Sequence, residues 1–342
     1  LVYQGYCRFK NLLGNSLENS ATVYDDVADI RNLNYENREN YMMTGNSLSW
    51  VEPLSERWAI KTTAGVDFEK DNNTKDAFNS LDGSENDFYS SWSVTSDITI
   101  EQRILAQYKK DRTSLSLGAS LYEENNVTHS RTVGVESHVG EGEWIFNWAP
   151  YAEYNLSKGN NTFAAEYHGN TSTPSGTSII PALNISNPVF VSAGNIYLRP
   201  SFTQNLMLHF RGMQPDNMMT YLIGLSGGVG TNSVSQASWF DGNGIRYSIP
   251  VNSNKPDKNM GLYGSFSTPL GKARHWTLML QPYMNYRNSV SYQAKGILPG
   301  LDKEHFDYTE MMSSFWGDAS GNRFYSGESG FAESVTNTLS SS

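Results

Sequence analysis

The chain has 342 residues, a formal net charge of −10 and a mean hydropathy of −0.50, with 38% hydrophobic and 13% aromatic residues. An acidic balance argues against nucleic acid as a partner, because phosphate binding needs a basic surface. No apolar run is long enough for a transmembrane helix, but strands that hide their hydrophobicity in alternation are still allowed.

Residues 1–40 read as a strand remnant followed by a long loop. Cys7 is the single cysteine, so no intrachain disulfide can form, and it reads as a bystander on a strand. Neither a basic leader nor an apolar signal core follows Leu1, and the stretch Thr338–Ser342 lacks a terminal aromatic strand. Both ends read as cuts in a longer chain.

From Tyr41 the pattern has period two. Met42, Thr44, Asn46, Leu48 and Trp50 share one face, and after the turn at 52–56 the residues Trp58, Ile60, Thr62, Ala64, Val66 and Phe68 share another. Alternation of this kind predicts half-buried strands. An aromatic at each end of the apolar face fits the two interfacial girdles of a membrane barrel; a soluble sandwich fits that single strand equally well. Next come a polar segment over 70–97, a predicted hairpin of 98–108 with 114–122, and a second polar segment over 123–143. Leu115, Leu117 and Leu121 face one way in that hairpin, with Ser116, Gly118 and Ser120 on the other. Small polar residues on the inner face suit a wet or plugged lumen better than a dry core. Predicted strands follow at 144–154, 163–167, 202–210, 220–228, 260–270, 276–286 and 331–339. Short connections alternate with long ones, as in outer-membrane barrels with short periplasmic turns and long extracellular loops, whereas sandwiches and propellers space their turns more evenly.

The stretch from His168 to Arg211 organises the chain. Pro174, Pro181 and Pro188 punctuate it, and proline both fixes φ and removes a donor, which predicts an ordered loop free of helix and central strand. Its Thr173, Pro174, Ser175, Pro181, Asn187, Pro188, Gly194, Asn195, Leu198 and Pro200, followed by Asp241, Gly242, Asn243, Gly244, Tyr247, Pro250, Val251 and Asn252, form two motifs in a fixed order. They resemble the long-loop signature of the Bacteroidetes outer-membrane β-barrel family allied to TonB-dependent receptors. Ile196 stands where that pattern has proline, and Arg199 where it has lysine.

The resemblance implies an all-β, antiparallel up-and-down transmembrane β-barrel that is partial: about eleven strands against the twenty-two of the transporters, spread over 1–342 with no plug domain. It also implies residence in the bacterial outer membrane, among outer-membrane lipid and lipopolysaccharide. The plug and the TonB complex would act through the remainder of the chain, on a small-molecule, glycan or peptide cargo. A structural or adhesive barrel without transport is the competing reading, and a soluble carbohydrate-binding β protein is a third. Half a barrel leaves two unpaired edges, so an open, curved sheet is expected.

Little in the sequence points to catalysis. No H-E-x-x-H, G-x-S-x-G or Walker loop occurs, and Ser226–Gly230 ends a strand without a following helix. An enzyme is the least favoured class, and no cofactor is expected. The histidines at 129, 138, 168, 209, 275 and 305 are scattered without metal-ligand spacing, so no metal site is expected. Asp71, Asp76, Asp82, Glu85 and Asp87 are too loosely spaced for a calcium loop; they read as solvated charge, or as carboxylates bridged to lipopolysaccharide by divalent ions. Loop aromatics are the better binding candidates, because rigid rings anchor a cargo at low entropy cost. These are Trp92, Trp239, Phe240, Tyr247, Phe315 and Trp316.

Overall fold

The computed structural model describes residues 1–24, 27–132, 135–140, 142–174, 176–180, 183–187, 189–240, 244–271, 275–295 and 332–341. Among them, helix is limited to one turn, α1 (Gly176–Ile179), and a 3-10 turn at Pro215–Asn217. The rest of the regular structure is strand. Five long strands open the chain: β1 (Val2–Tyr24), β2 (Val27–Pro53), β3 (Trp58–Asn79), β4 (Ser91–Lys110) and β5 (Thr113–Thr132). The short β6 (Val135–Val139) folds back on β5, and β7 (Ile145–Lys158) and β8 (Asn161–Ser172) follow. After α1 come β9 (Leu183–Asn187), β10 (Phe190–Ala193), β11 (Ser201–Gln214), β12 (Met219–Thr231), β13 (Val234–Phe240) and β14 (Arg246–Asn252). The last four are β15 (Asp257–Leu270), β16 (Trp276–Leu280), β17 (Tyr283–Lys295) and β18 (Ala332–Ser341).

Antiparallel ladders join β1 to β2, β3, β4, β5, β7, β8, β11, β12, β15, β17 and β18 in that order, and β16 extends β15 at one end. The result is a curved wall. Among the described residues, the ladders reaching β1 and β18 are those from β2 and β17, as expected for a partial barrel with two edges.

Registered residues keep one face across the whole wall. Leu117 lies opposite Ala152, and the same row continues through Tyr167, Leu206, Gly227, Met260, Tyr286 and Leu339. This face is exposed: Leu117 at 44%, Val66 at 45% and Leu121 at 40%, whereas Ser120 on the opposite face is at 4%. Rings border the apolar band near the short turns, where Trp58 meets Tyr108 at 5.0 Å and Tyr154 meets Phe163 at 6.4 Å. Near the other border Trp148 stacks on Phe202 at 5.2 Å. Trp58 to Phe68 spans ten residue steps, about 33 Å of strand, which at a tilt of about 40° gives a band about 25 Å tall. That matches the apolar belt of a membrane barrel. The inner face is polar and internally bonded: Arg103 Nε donates to Ser120 at 2.8 Å, and Asn126 donates to Asp97 at 3.1 Å. On β16 both faces are exposed, so burial does not separate Leu278 and Leu280 from Thr277 there.

The structure departs from the sequence reading in two places. Residues 1–40 form no long loop; β1 and β2 pair continuously from Val2 with Ser49 to Tyr24 with Val27. Much of the polar stretches 70–97 and 123–143 is likewise strand that continues beyond the apolar band. Alternating Asn, Ser and charged residues form ladders above the lipid as readily as apolar ones do within it, because the backbone makes the bonds. Second, the proline-punctuated stretch holds a helical turn and two strands, one of them central. β10 lies between β9, antiparallel, and β14, parallel. β14 also pairs with β13, and β13 runs parallel to the upper part of β17. An inner sheet, β9–β10–β14–β13, is thus anchored to the wall at β17.

Replacing Leu117 with Arg should cost about 2–4 kcal/mol, the penalty for a cation near the bilayer midplane. Arg at Ser116, on the inner face, should be far milder. Urea titration followed by heat-modifiable gel migration measures both, and equal costs would refute the assigned facing.

Candidate ligand cavity

The inner sheet is held by its own buried core. Val191, Ala237, Ile249 and Val251 are at most 1% exposed, as are Trp239 and Tyr292. β14 is buried on both faces from Tyr247 to Asn252, so matter packs on either side of it. Asparagine side chains tie the two sequence motifs together. Asn252 accepts from the Arg199 N–H at 2.8 Å and donates to the carbonyls of Arg199 and Asn232, both at 2.9 Å. Asn195, 1% exposed, donates to the Pro250 carbonyl at 3.0 Å and accepts from the Tyr197 N–H at 2.9 Å. Gly194 has a steric reason: a Cβ there would lie 2.3 Å from the Ile180 carbonyl oxygen.

On the wall side, Thr173 bonds Glu124 of β5 and receives Asn147 Nδ2 at 2.7 Å. Gly176 begins α1 where a Cβ would approach Thr128 Oγ1 to 2.5 Å, so only glycine lets the turn sit this close to β5. The inner sheet therefore crosses the concave side from β17 to β5.

Between the inner sheet and β1–β5 lies a cavity of about 910 Å³. The wall contributes Asn37, Asn73, Ser91, Ser93, Ser130 and Thr132, and the inner sheet adds Ser192, Gln236 and Ser248. Hydroxyls and amides are its commonest polar groups, beside apolar Leu12, Leu13, Ile180 and Val234. Of the charged residues at its border, Glu39 pairs with Lys10 at 2.7 Å, Lys75 Nζ lies 3.8 Å over the Tyr35 ring, and Arg246 lies over Phe190 at 5.7 Å; Arg38 is the fourth. Burial lowers the Lys75 pKa, while Glu18 draws it back up and Arg31 lowers it further. Burial raises Tyr35, whose hydroxyl donates to Glu18 at 2.7 Å. Leu33, Tyr35 and Ala77 form a small core under Tyr89, which fixes this end of the wall beside the cavity.

The aromatics singled out in the sequence part company here. Trp92 borders the cavity through its strand, between the inward Ser91 and Ser93 and opposite Arg131. Trp239 and Tyr247 do not meet solvent: they stack on each other at 5.7 Å, 0% and 6% exposed, and their task is packing the inner sheet. Phe240 is exposed at 41%. Phe315 and Trp316 lie outside the described residues, as do Ser175, Pro181, Pro188, Asp241, Gly242 and Asn243. Sequence reasoning missed the amide-and-hydroxyl lining, whose one local trace is the i, i+2 spacing of Ser91 with Ser93 and Ser130 with Thr132. It also missed the meeting of His129 with His138, Nδ1 to Nδ1 at 2.8 Å across β5 and β6.

Removing the Asn252 side chain strands three backbone groups, each worth about 1–3 kcal/mol when buried without a partner. Asn252→Ala should therefore lower the urea midpoint clearly, and Asn217→Ala, at an exposed turn, should not. Equal midpoints would show that the ties between the two motifs are dispensable.

The model for the outer membrane protein beta-barrel family matches residues 6–320. A search of curated proteins returns no match. Among solved structures, a double mutant of the Serratia marcescens hemophore receptor HasR in complex with its hemophore HasA and heme is similar over 97% of this chain at 12% identity, with a TM-score of 0.54. The E. coli K12 ferric-catecholate import receptor Fiu matches over 84% at 12% identity with a TM-score of 0.49. This chain spans 54% of the HasR chain and 48% of the Fiu chain. With a family match over residues 6–320 and a curved antiparallel wall similar in fold to that of HasR, the chain belongs to the outer membrane protein beta-barrel family and resides in the bacterial outer membrane.

Proposed function

We propose that this chain is barrel wall of a TonB-dependent receptor that imports a nutrient, and that the cavity between β1–β5 and the inner sheet receives the cargo. The observation that carries the reading is that cavity: about 910 Å³, built from the concave wall and from both family motifs. In this reading a plug domain acts against the concave face and the energised TonB complex drives passage. HasR and Fiu are named as receptors for heme-carrying and ferric-catecholate ligands. The lining here favours a different cargo class. Lys75 and Arg246 lie over rings, and hydroxyls and amides are the commonest polar groups of the lining, which suits a hydrogen-bonding ligand such as an oligosaccharide or a short peptide. No catalytic role is assigned.

Ser192 lines the cavity from the inner sheet, so Ser192→Trp would fill part of it with an indole. Cells producing this variant should take up fluorescein-labelled oligosaccharides or tripeptides at least tenfold less than wild type, with equal protein in the outer membrane. Depleting TonB should abolish the same uptake. Uptake unchanged by both treatments would favour a structural or adhesive barrel.

A further inference from the structure

The histidine pair lies outside the cavity and is independent of the import reading. His129 sits on β5 directly opposite His138 on β6, with ring centroids 4.4 Å apart and planes at 83°. Their flanking residues settle the facing. Thr128, Ser130 and Ser137 point to the concave side, at 1%, 2% and 6% exposure, so the imidazoles point to the outer surface of the wall. They stand eight residues beyond Leu121, about 26 Å along the strand, and so clear the apolar band on the long-loop side. The pair is held in place by the β5–β6 ladder from Thr128 with Val139 to Thr132 with Val135.

We propose that His129 and His138 form a binding site for a divalent first-row transition ion, with copper(II) preferred. Their Nδ1 atoms are 2.8 Å apart, and one ring donates its Nδ1–H to the other. A metal replaces that shared proton once the donating ring carries its proton on Nε2 instead, leaving a lone pair on each Nδ1. With metal–nitrogen bonds of about 2.0–2.1 Å, a 2.8 Å separation subtends about 85–90° at the metal. That is the cis edge of a tetragonal centre, the geometry of copper(II) and nickel(II); two tetrahedral ligands would stand about 3.3–3.4 Å apart. Imidazole suits copper, and copper(II) also leads the divalent affinity order. Water supplies the remaining ligands, because among the described residues no third metal-ligating side chain joins the pair. Arg131, registered opposite Glu136, and Val94, registered opposite His129, stand beside the pair. The Arg131 guanidinium opposes a dication, which keeps the site selective for strongly bound ions. The ion would staple the β5–β6 hairpin at the cell surface.

Detergent-extracted protein from outer membranes, titrated with copper(II) chloride and followed by electron paramagnetic resonance, tests this. Wild type should bind one copper in a tetragonal spectrum with coupling to two nitrogens. His129→Asn and His138→Asn should each weaken binding more than tenfold, while His209→Ala, on another strand, should change nothing. Zinc chloride should compete more weakly than nickel chloride. Heat-modifiable migration shows that each variant is folded, so a loss of copper is not a loss of fold. Equal copper binding by wild type and the doubly substituted protein would overturn the proposal, as would a spectrum without two-nitrogen coupling.

Discussion

The structure depends on the bond between Asn252 and the backbone of Arg199. Two long connections of the wall, one after β8 and one after β12, must be ordered if they are to form anything inside the barrel, and ordering each residue costs about 1–2 kcal/mol of backbone entropy. Asn252 counters part of that by bonding both polar groups of Arg199 and the carbonyl of Asn232, which ties the end of one motif to the end of the other. Asn195 then reaches Pro250 from the opposite direction. With these ties made, β10 and β14 lie parallel, an arrangement that strands close in sequence cannot reach without a crossover. The β11–β12 hairpin of the wall is that crossover. The inner sheet therefore needs the wall to exist first.

The wall obeys a different constraint. Lipid offers no partner for a backbone N–H or C=O, so the strands must satisfy one another across unbroken ladders. This explains why the β2–β3 register runs without a shift from Leu33 to Pro53, while β9 and β10, inside, carry an irregularity between Phe190 and Ser192. Side chains follow the same division: Leu115, Leu117 and Leu121 point outward, while inward Arg103 bonds Ser120 and inward Asn126 bonds Asp97.

The wall was legible in the sequence because period-two alternation is a local signal. Leu115, Leu117 and Leu121 against Ser116 and Ser120 fix a face without knowledge of any neighbour. Beyond the apolar band that signal thins, since in Asn32–Asn40 of β2 the large apolar side chains buried on the inner face are Leu33 and Tyr35, and the rest of the stretch is polar. Such a stretch looks the same as a loop until its partner strands are known. Trp239 and Tyr247 misled for a related reason: aromatic residues in a loop look exposed until the loop proves to be a buried sheet. Pro250 within β14 reads as a strand breaker; in the structure it lies past the end of the β10 ladder, and its carbonyl serves Asn195.

The same reasoning explains why the cavity lies where it does. A polar inner face can border either water or another polar surface, and the inner sheet meets it firmly at the Thr173–Glu124 contact and at Gly176. Away from those contacts the two surfaces diverge, because β1, β2 and β3 continue upward while β10 ends at Ala193. Divergence between a tall wall and a short inner sheet leaves a space lined by what each presents inward, namely the amides of β2 and β3, the hydroxyls of β4 and β5, and the serines of β10 and β14. Its chemistry is thus fixed by the alternation that hides the leucines on the outer face. A change of register by one residue in β4 or β5 would put Ile104 and Leu117 inside and the hydroxyls in lipid. The membrane therefore enforces the polarity of the cavity, as well as the shape of the wall.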